Sequence, residues 1–174
     1  MKKIFTAILI AFLLLTPLVF YGCGSQQESP KSEGFAIYLT KDDISVSQMP
    51  MLSHMDIADT PVVSINDIIA YNRETHEIEL TAEAYERVMS QQVPTSGKSF
   101  VVCVDKAPIY WGAFWTPISS QSFDGITIWV YPFSQQGNII TLQLGYPSTT
   151  FYQGEDPRSN PVIIESLEKA GKLK

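Results

Sequence analysis

Cysteine and histidine are almost missing from this 174-residue chain, which holds Cys23, Cys103, His54 and His76 and no others of either type. Two cysteines allow one disulfide at most, and no Cys-x-x-Cys spacing exists to hold zinc or run a redox couple. No His-Glu-x-x-His helix and no Gly-x-Ser-x-Gly elbow occurs, which removes the commonest hydrolase signatures. Positive charge is scarce as well. Twelve lysines and arginines face eighteen aspartates and glutamates, a formal charge of −6, so no basic surface is available to neutralise a phosphate backbone. Nucleic acid is not among the expected partners.

What is present begins with Lys2 and Lys3, followed by an uncharged stretch from Ile4 to Tyr21 and then Gly22-Cys23. A positive start, an apolar run and a small residue before the cut make an export signal. With Cys23 as the first residue after the cut, residues 1–23 resemble bacterial lipoprotein signal peptides. Phe20 and Tyr21 depart from that family's small aliphatic box, while Gly22 and Cys23 fit it. The resemblance implies that Cys23 is acylated, palmitate-like chains holding the protein on the extracytoplasmic face of a membrane. The same run is also near the ~20 apolar residues that span a bilayer uncleaved. Either way the domain lies outside the cytoplasm.

Residues 1–22 are thus expected to be the signal, 23–34 a Ser-, Gln-, Glu- and Pro-containing tether, and 35–174 a single domain. Loss of Lys2 and Lys3 takes the net charge from −6 to −8. If Cys23 carries lipid, Cys103 has no partner. Its setting, Phe100-Val101-Val102-Cys103-Val104, predicts a buried strand and an inert thiol.

Periodicity and turn chemistry predict an α+β domain, an antiparallel sheet of hairpins with a mid-chain helix and a C-terminal helix packed on it. Phe35–Leu39 reads as a first strand, and the segment to Pro61 as irregular. Ile68–Tyr71 and Glu77–Leu80 flank a turn and form a hairpin. Thr81 caps a helix from Ala82 to about Gln91. Ser99–Val104, Ile109–Trp115, Ile126–Tyr131 and Ile139–Leu144 are β-branched and aromatic runs separated by turn residues. Asn160, Pro161 and Gly171 mark the start and stop of the last helix.

Several motifs are incomplete. Gly97-Lys98-Ser99 ends like a phosphate-binding loop, but position 92 is Gln92 and a strand rather than a helix should follow. Ser166-Leu167-Glu168-Lys169 matches Ser-x-x-Lys without the Ser-Asp-Asn and Lys-Thr-Gly partners of penicillin-recognising enzymes. Two clusters remain. Met49, Met51, His54 and Met55 bring thioethers and an imidazole into seven positions, a donor set suited to Cu(I); the alternative is methionine filling irregular core gaps. Tyr110, Trp111, Phe114 and Trp115 crowd one strand. Alternation puts Trp111 and Trp115 on one face, Tyr110, Gly112 and Phe114 on the other. One face must be core. The other is either a second core or an exposed platform for an envelope protein or cell-wall glycan.

Ile78–Leu80, Gly97-Lys98, Phe100–Asp105 and Gly125–Ile128 together resemble part of the extracytoplasmic head of the protein-export subunit SecD, over residues 77–128. The terminal Asp156-Pro157-Arg158 segment and amphipathic helix are similar to those of small bacterial lipoproteins. The resemblances imply a ferredoxin-like α+β arrangement and an interaction role. The expected function is therefore a membrane-tethered binding module at the cell envelope, with an extracytoplasmic copper-binding protein and an envelope hydrolase as alternatives.

Overall fold

A computed structural model describes residues 33–131 and 137–174; Cys23, the expected signal and most of the expected tether lie outside them. Among the described residues, eight strands and two α-helices follow in the order β1 (Phe35–Leu39), β2 (Ile68–Tyr71), β3 (Glu77–Leu80), α1 (Ala82–Met89), β4 (Lys98–Val104), β5 (Ala107–Trp115), β6 (Phe123–Trp129), β7 (Ile139–Thr141), β8 (Gln143–Tyr146) and α2 (Pro161–Lys169). The fold is α+β, with one helix in mid-chain and one at the C-terminus. A five-stranded sheet has the order β1-β4-β5-β6-β8 and a three-stranded sheet the order β2-β3-β7.

The large sheet is mixed rather than wholly antiparallel, because β5 and β6 run in parallel from Gly112↔Ile126 to Trp115↔Trp129. The loop from Thr116 to Ser122 carries the chain back to the start of β6 instead of folding it into a hairpin. A second difference concerns the expected strand 139–144. Its first half joins β3, through Ile78↔Ile140, and its second half joins β6, through Ile126↔Leu144. The switch occurs at buried Leu142, whose N–H donates to the His76 carbonyl at 3.0 Å. Ile140 and Leu142 are both buried and Leu144 packs against the same core, so apolar alternation continues through the switch. Periodicity alone gives no sign of it. The ferredoxin-like arrangement also fails in one respect: α1 links the small sheet to the large one and α2 follows the last strand, so neither helix is a crossover within a single sheet.

Local chemistry explains the element ends. Thr81 accepts from the Ala84 N–H to cap α1, and Asn160 accepts from the Val162 N–H to cap α2 ahead of Pro161. At the end of α2, Lys172 N–H donates to the Leu167 carbonyl and Gly171 N–H to that of Glu168, with Gly171 at φ +67°, the Schellman arrangement. The β4–β5 hairpin turns on Asp105 and Lys106, both left-handed at φ +51° and +65°, as a type I′ turn requires. It is therefore tighter than the four-residue turn expected, and Pro108 lies within β5 opposite Cys103, at a register shift where its missing N–H is tolerated. Glycine is the residue this turn favours. Lys106→Gly is expected to stabilise the domain by about 0.5–1 kcal/mol, read as a higher urea midpoint with unchanged slope.

One core unites both helices and both sheets. Phe35, Ile37, Phe100, Val102, Phe114, Ile126 and Ile128 project from the large sheet onto Ile78, Leu80, Ala84, Val88, Ile163 and Leu167. The free edge of β1 is closed by the segment after the irregular loop, where Ile37 N–H donates to Val63 O at 2.7 Å and Val62 N–H to Ile37 O at 2.8 Å. Covering an edge in this way removes a template for strand addition.

Candidate functional site

The aromatic strand divides between two covered faces. Tyr110 and Phe114 enter the main core, at 5% and 0% exposure. Trp115, at 2%, stacks on Phe123 at 5.2 Å and 9° and meets Tyr146 at 5.7 Å. Only Trp111 among the four is half-buried, against Phe123 at 5.8 Å. The opposite face of the sheet is thus a second core, closed at one end by these rings and at the other by Met49, Leu52, Met55 and Ile57 from the irregular loop. Tyr110, Phe114 and Trp115 present no surface to a partner; their contribution is apolar burial.

The same packing divides the Met and His cluster by burial. Met55 is buried beside Tyr38, Val101 and Cys103, and Met49 lies partly buried on that group. Met51 is 69% exposed and His54 is also on the surface. Methionine here fills space under a loop. No group of three or more His, Cys, Asp or Glu positioned for a metal occurs among the described residues. A competition titration with Cu(I) is expected to give no stoichiometric complex; one that disappears in the Met51→Ala, His54→Ala variant would restore the copper reading. Cys103 is buried, and desolvation pushes its thiol up to about 12, far from the range of a nucleophile.

Buried polarity is concentrated at a junction that sequence proximity does not reveal. Tyr71 on β2 is fully buried, and its hydroxyl lies 2.9 Å from His76 Nδ1 and 3.3 Å from the Arg158 carbonyl. One hydroxyl proton serves one acceptor. Both contacts are hydrogen bonds when Tyr71 donates to the carbonyl and a neutral His76 donates its Nδ1–H to the Tyr71 oxygen. The Arg158 side chain donates from Nη1 to the Leu142 carbonyl at 2.6 Å and holds Asp156 through Nε and Nη2, at 2.9 and 2.7 Å. The Tyr110 hydroxyl, buried nearby, has no partner among the described residues. Burial pushes the Tyr71 phenol up to about 12 and lowers His76, the latter helped by the Arg158 charge. His76 is left-handed at φ +56° in a turn where the Asn72 side chain accepts from Glu74 N–H and Thr75 N–H. These groups tie β2, the β2–β3 turn, Leu142 and the lead into α2 together. The Asp156–Arg158 pair is local, but the contact from Tyr71 to the Arg158 carbonyl spans 87 positions and leaves no trace in sequence pattern.

The open space lies elsewhere, where the chain enters the domain. Gly34, expected in the tether, already donates its N–H to Asp105 Oδ1 at 2.7 Å, and Glu33 accepts from the Tyr38 hydroxyl at 2.7 Å. On one side of this entry is a depression of about 330 Å³, between α2 and the paired ends of β1 and β4, walled by Ile65, Val104, Asp105, Val162, Glu165 and Lys169. On the other is one of about 510 Å³, walled by Glu33, Ala36, Tyr38, Asp59, Pro61 and Asn66. Ile65 lines both. The sequence does not group these wall residues, because they are drawn together from five segments and mix buried Ala36, Tyr38 and Val104 with surface carboxylates. No helix among the described residues is long and apolar enough to cross a membrane. Comparison with protein-family models, curated proteins and solved structures finds no match to this chain.

Proposed function

We propose that the chain is a lipoprotein, acylated at Cys23 and held on the extracytoplasmic face of the cell membrane, whose domain acts as a binding module at the cell envelope. The layout from Lys2 through Cys23 supports the location. The observation that carries binding is the pair of depressions at the chain entry, which offer concave, mixed apolar and charged walls. At the polar junction, His76 is meanwhile engaged with Tyr71, and Arg158 with Asp156 and Leu142.

Crosslinking in cells followed by capture of the full chain tests this reading, with mass spectrometry of both the captured proteins and the N-terminal peptide. The expected result is an acylated N-terminal Cys23 and a reproducible envelope partner. Recovery of unmodified Cys23 still attached to residues 1–22 would replace the lipid with a membrane helix. No partner under repeated capture would overturn the binding role.

A further inference from the structure

We infer that the two depressions flanking Gly34 form one docking groove for a short cationic segment of an envelope protein, in which Lys or Arg side chains flank apolar ones. The inference deepens the binding-module reading and rests on it. Its floor is apolar: Ile65 is shared by both depressions, Val104 lies behind it, and Val162 at the start of α2 is 48% exposed. An apolar side chain of a ligand seated over Ile65 would touch both halves.

The rim is acidic. Glu33, Asp59, Asp105 and Glu165 stand around the groove against one lining lysine, Lys169. Asp59 makes no ion pair among the described residues. Glu33 pairs with Lys106 at 3.1 Å and Glu165 with Lys169 at 2.7 Å, but in both pairs each side chain is 45% exposed or more. Pairs that exposed hold little free energy and exchange readily. A guanidinium from a partner can take the place of either lysine, with two parallel hydrogen bonds in place of one.

Charge also argues against the other occupants. A second copy would bring the same acidic rim and a net charge of the same sign. Anionic lipid headgroups would be repelled by the carboxylates. If Cys23 is the anchor, residues 23–32 reach at most about 35 Å when fully extended, which keeps the groove close enough to the membrane to meet segments of proteins embedded there. No basic stretch elsewhere in this chain is needed to fill it.

The full chain in nonionic micelles can be titrated with the acetylated, amidated peptide Lys-Arg-Leu-Val-Arg-Lys and followed through methyl resonances. Saturable shifts are expected at Ile65, Val104 and Val162, weakening as salt rises. The Asp59→Lys, Glu165→Lys variant should weaken binding at least tenfold. The Glu74→Lys, Glu86→Lys variant, with the same change in net charge on exposed sites outside the groove, should stay within about twofold of the parent. Equal loss in both variants, shifts confined to other methyls, or equal binding of the peptide with Glu in place of Lys and Arg would overturn the groove. In-cell capture separates the two readings. A partner retained by the Asp59→Lys, Glu165→Lys chain rejects the groove and keeps the module; no partner for either chain rejects the module.

Discussion

Gly112→Ala is expected to cost about 3 kcal/mol, at the upper end of what overpacking a core does, and to lower the urea midpoint with little change in slope. Gly112 is buried in the middle of β5, paired with Phe100 of β4 on one side and Ile126 of β6 on the other. A methyl placed there would stand 2.4 Å from the Ile126 carbonyl oxygen and 2.5 Å from Cζ of Phe100. The ring could turn only by disturbing Phe114, 5.1 Å away in the same core. The oxygen cannot move without breaking the parallel register that joins β5 to β6. A comparison substitution, Gly154→Ala, meets nothing within 4 Å, although its φ of +102° is unfavourable for a side chain. Its cost should be limited to about 1 kcal/mol of backbone strain. Near-equal losses in the two variants would mean that β5 and β6 do not approach each other as closely as described. Reversible urea unfolding followed by tryptophan fluorescence measures both, since Trp111 and Trp115 lie on the affected strand itself.

How much of this was legible in the sequence depends on whether the determinant is local. Thr81, Asn160, Pro161 and Gly171 act within one turn of themselves, and the helices begin and end where those residues place them. Gly112 is a lone glycine among large aromatics, a local mark of close packing, and the Ile126 carbonyl and the Phe100 ring fill the space a side chain would need. The alternation of Trp111 and Trp115 against Tyr110 and Phe114 was also readable, because a strand fixes it. What covers each face was not readable. The lid over Trp115 comes from Phe123 and Tyr146, and the lid over Val101 from Met49 and Met55; neither is specified by pattern, since loop methionines and aromatics pack wherever space remains. The parallel pairing of β5 and β6 is hidden for a similar reason: a seven-residue link has the length of a hairpin loop and carries no mark of the path it takes. The groove beside Gly34 was the least visible feature. Its walls combine β1, the segment around Asp59, Ile65, the β4–β5 turn and α2, and no single stretch of sequence carries the combination.

The second large effect concerns acid. His76 is the buried histidine, and its ring is held neutral by desolvation and by the neighbouring Arg158 charge, with Asp156 opposing. Its folded pKa lies below the ordinary histidine value of 6.5, so between the two values the unfolded chain binds the proton and the folded chain does not. Stability is therefore fully present above about pH 6.5 and falls as pH drops through the window beneath it, at a slope of at most about 1.4 kcal/mol per pH unit from this group. Asp67 and Asp156 are held below their ordinary range, Asp67 by Ser64 and Arg87 against its burial and Asp156 chiefly by Arg158. They add a second loss only when pH reaches the carboxylate range. His76→Asn should remove the first step. Asparagine tolerates the left-handed backbone at this position, and the variant loses the Tyr71 contact at every pH. Its stability at about pH 7.5 should thus fall by roughly 1–2 kcal/mol, while its profile between about pH 7 and pH 5 flattens. Tyr71→Phe gives a complementary result: the hydroxyl bridge is lost, the histidine remains buried, and the pH step persists on a lower baseline. A His76→Asn profile as steep as the parent's would transfer the titration to another group and leave the Tyr71–His76 contact as packing alone. A flat parent profile over the same window would mean that His76 reaches solvent in the folded chain. Because the same junction fixes Leu142 and the lead into α2 through Arg158, the acid step should be accompanied by faster hydrogen exchange at Leu142, Val162 and Tyr71 N–H before global unfolding.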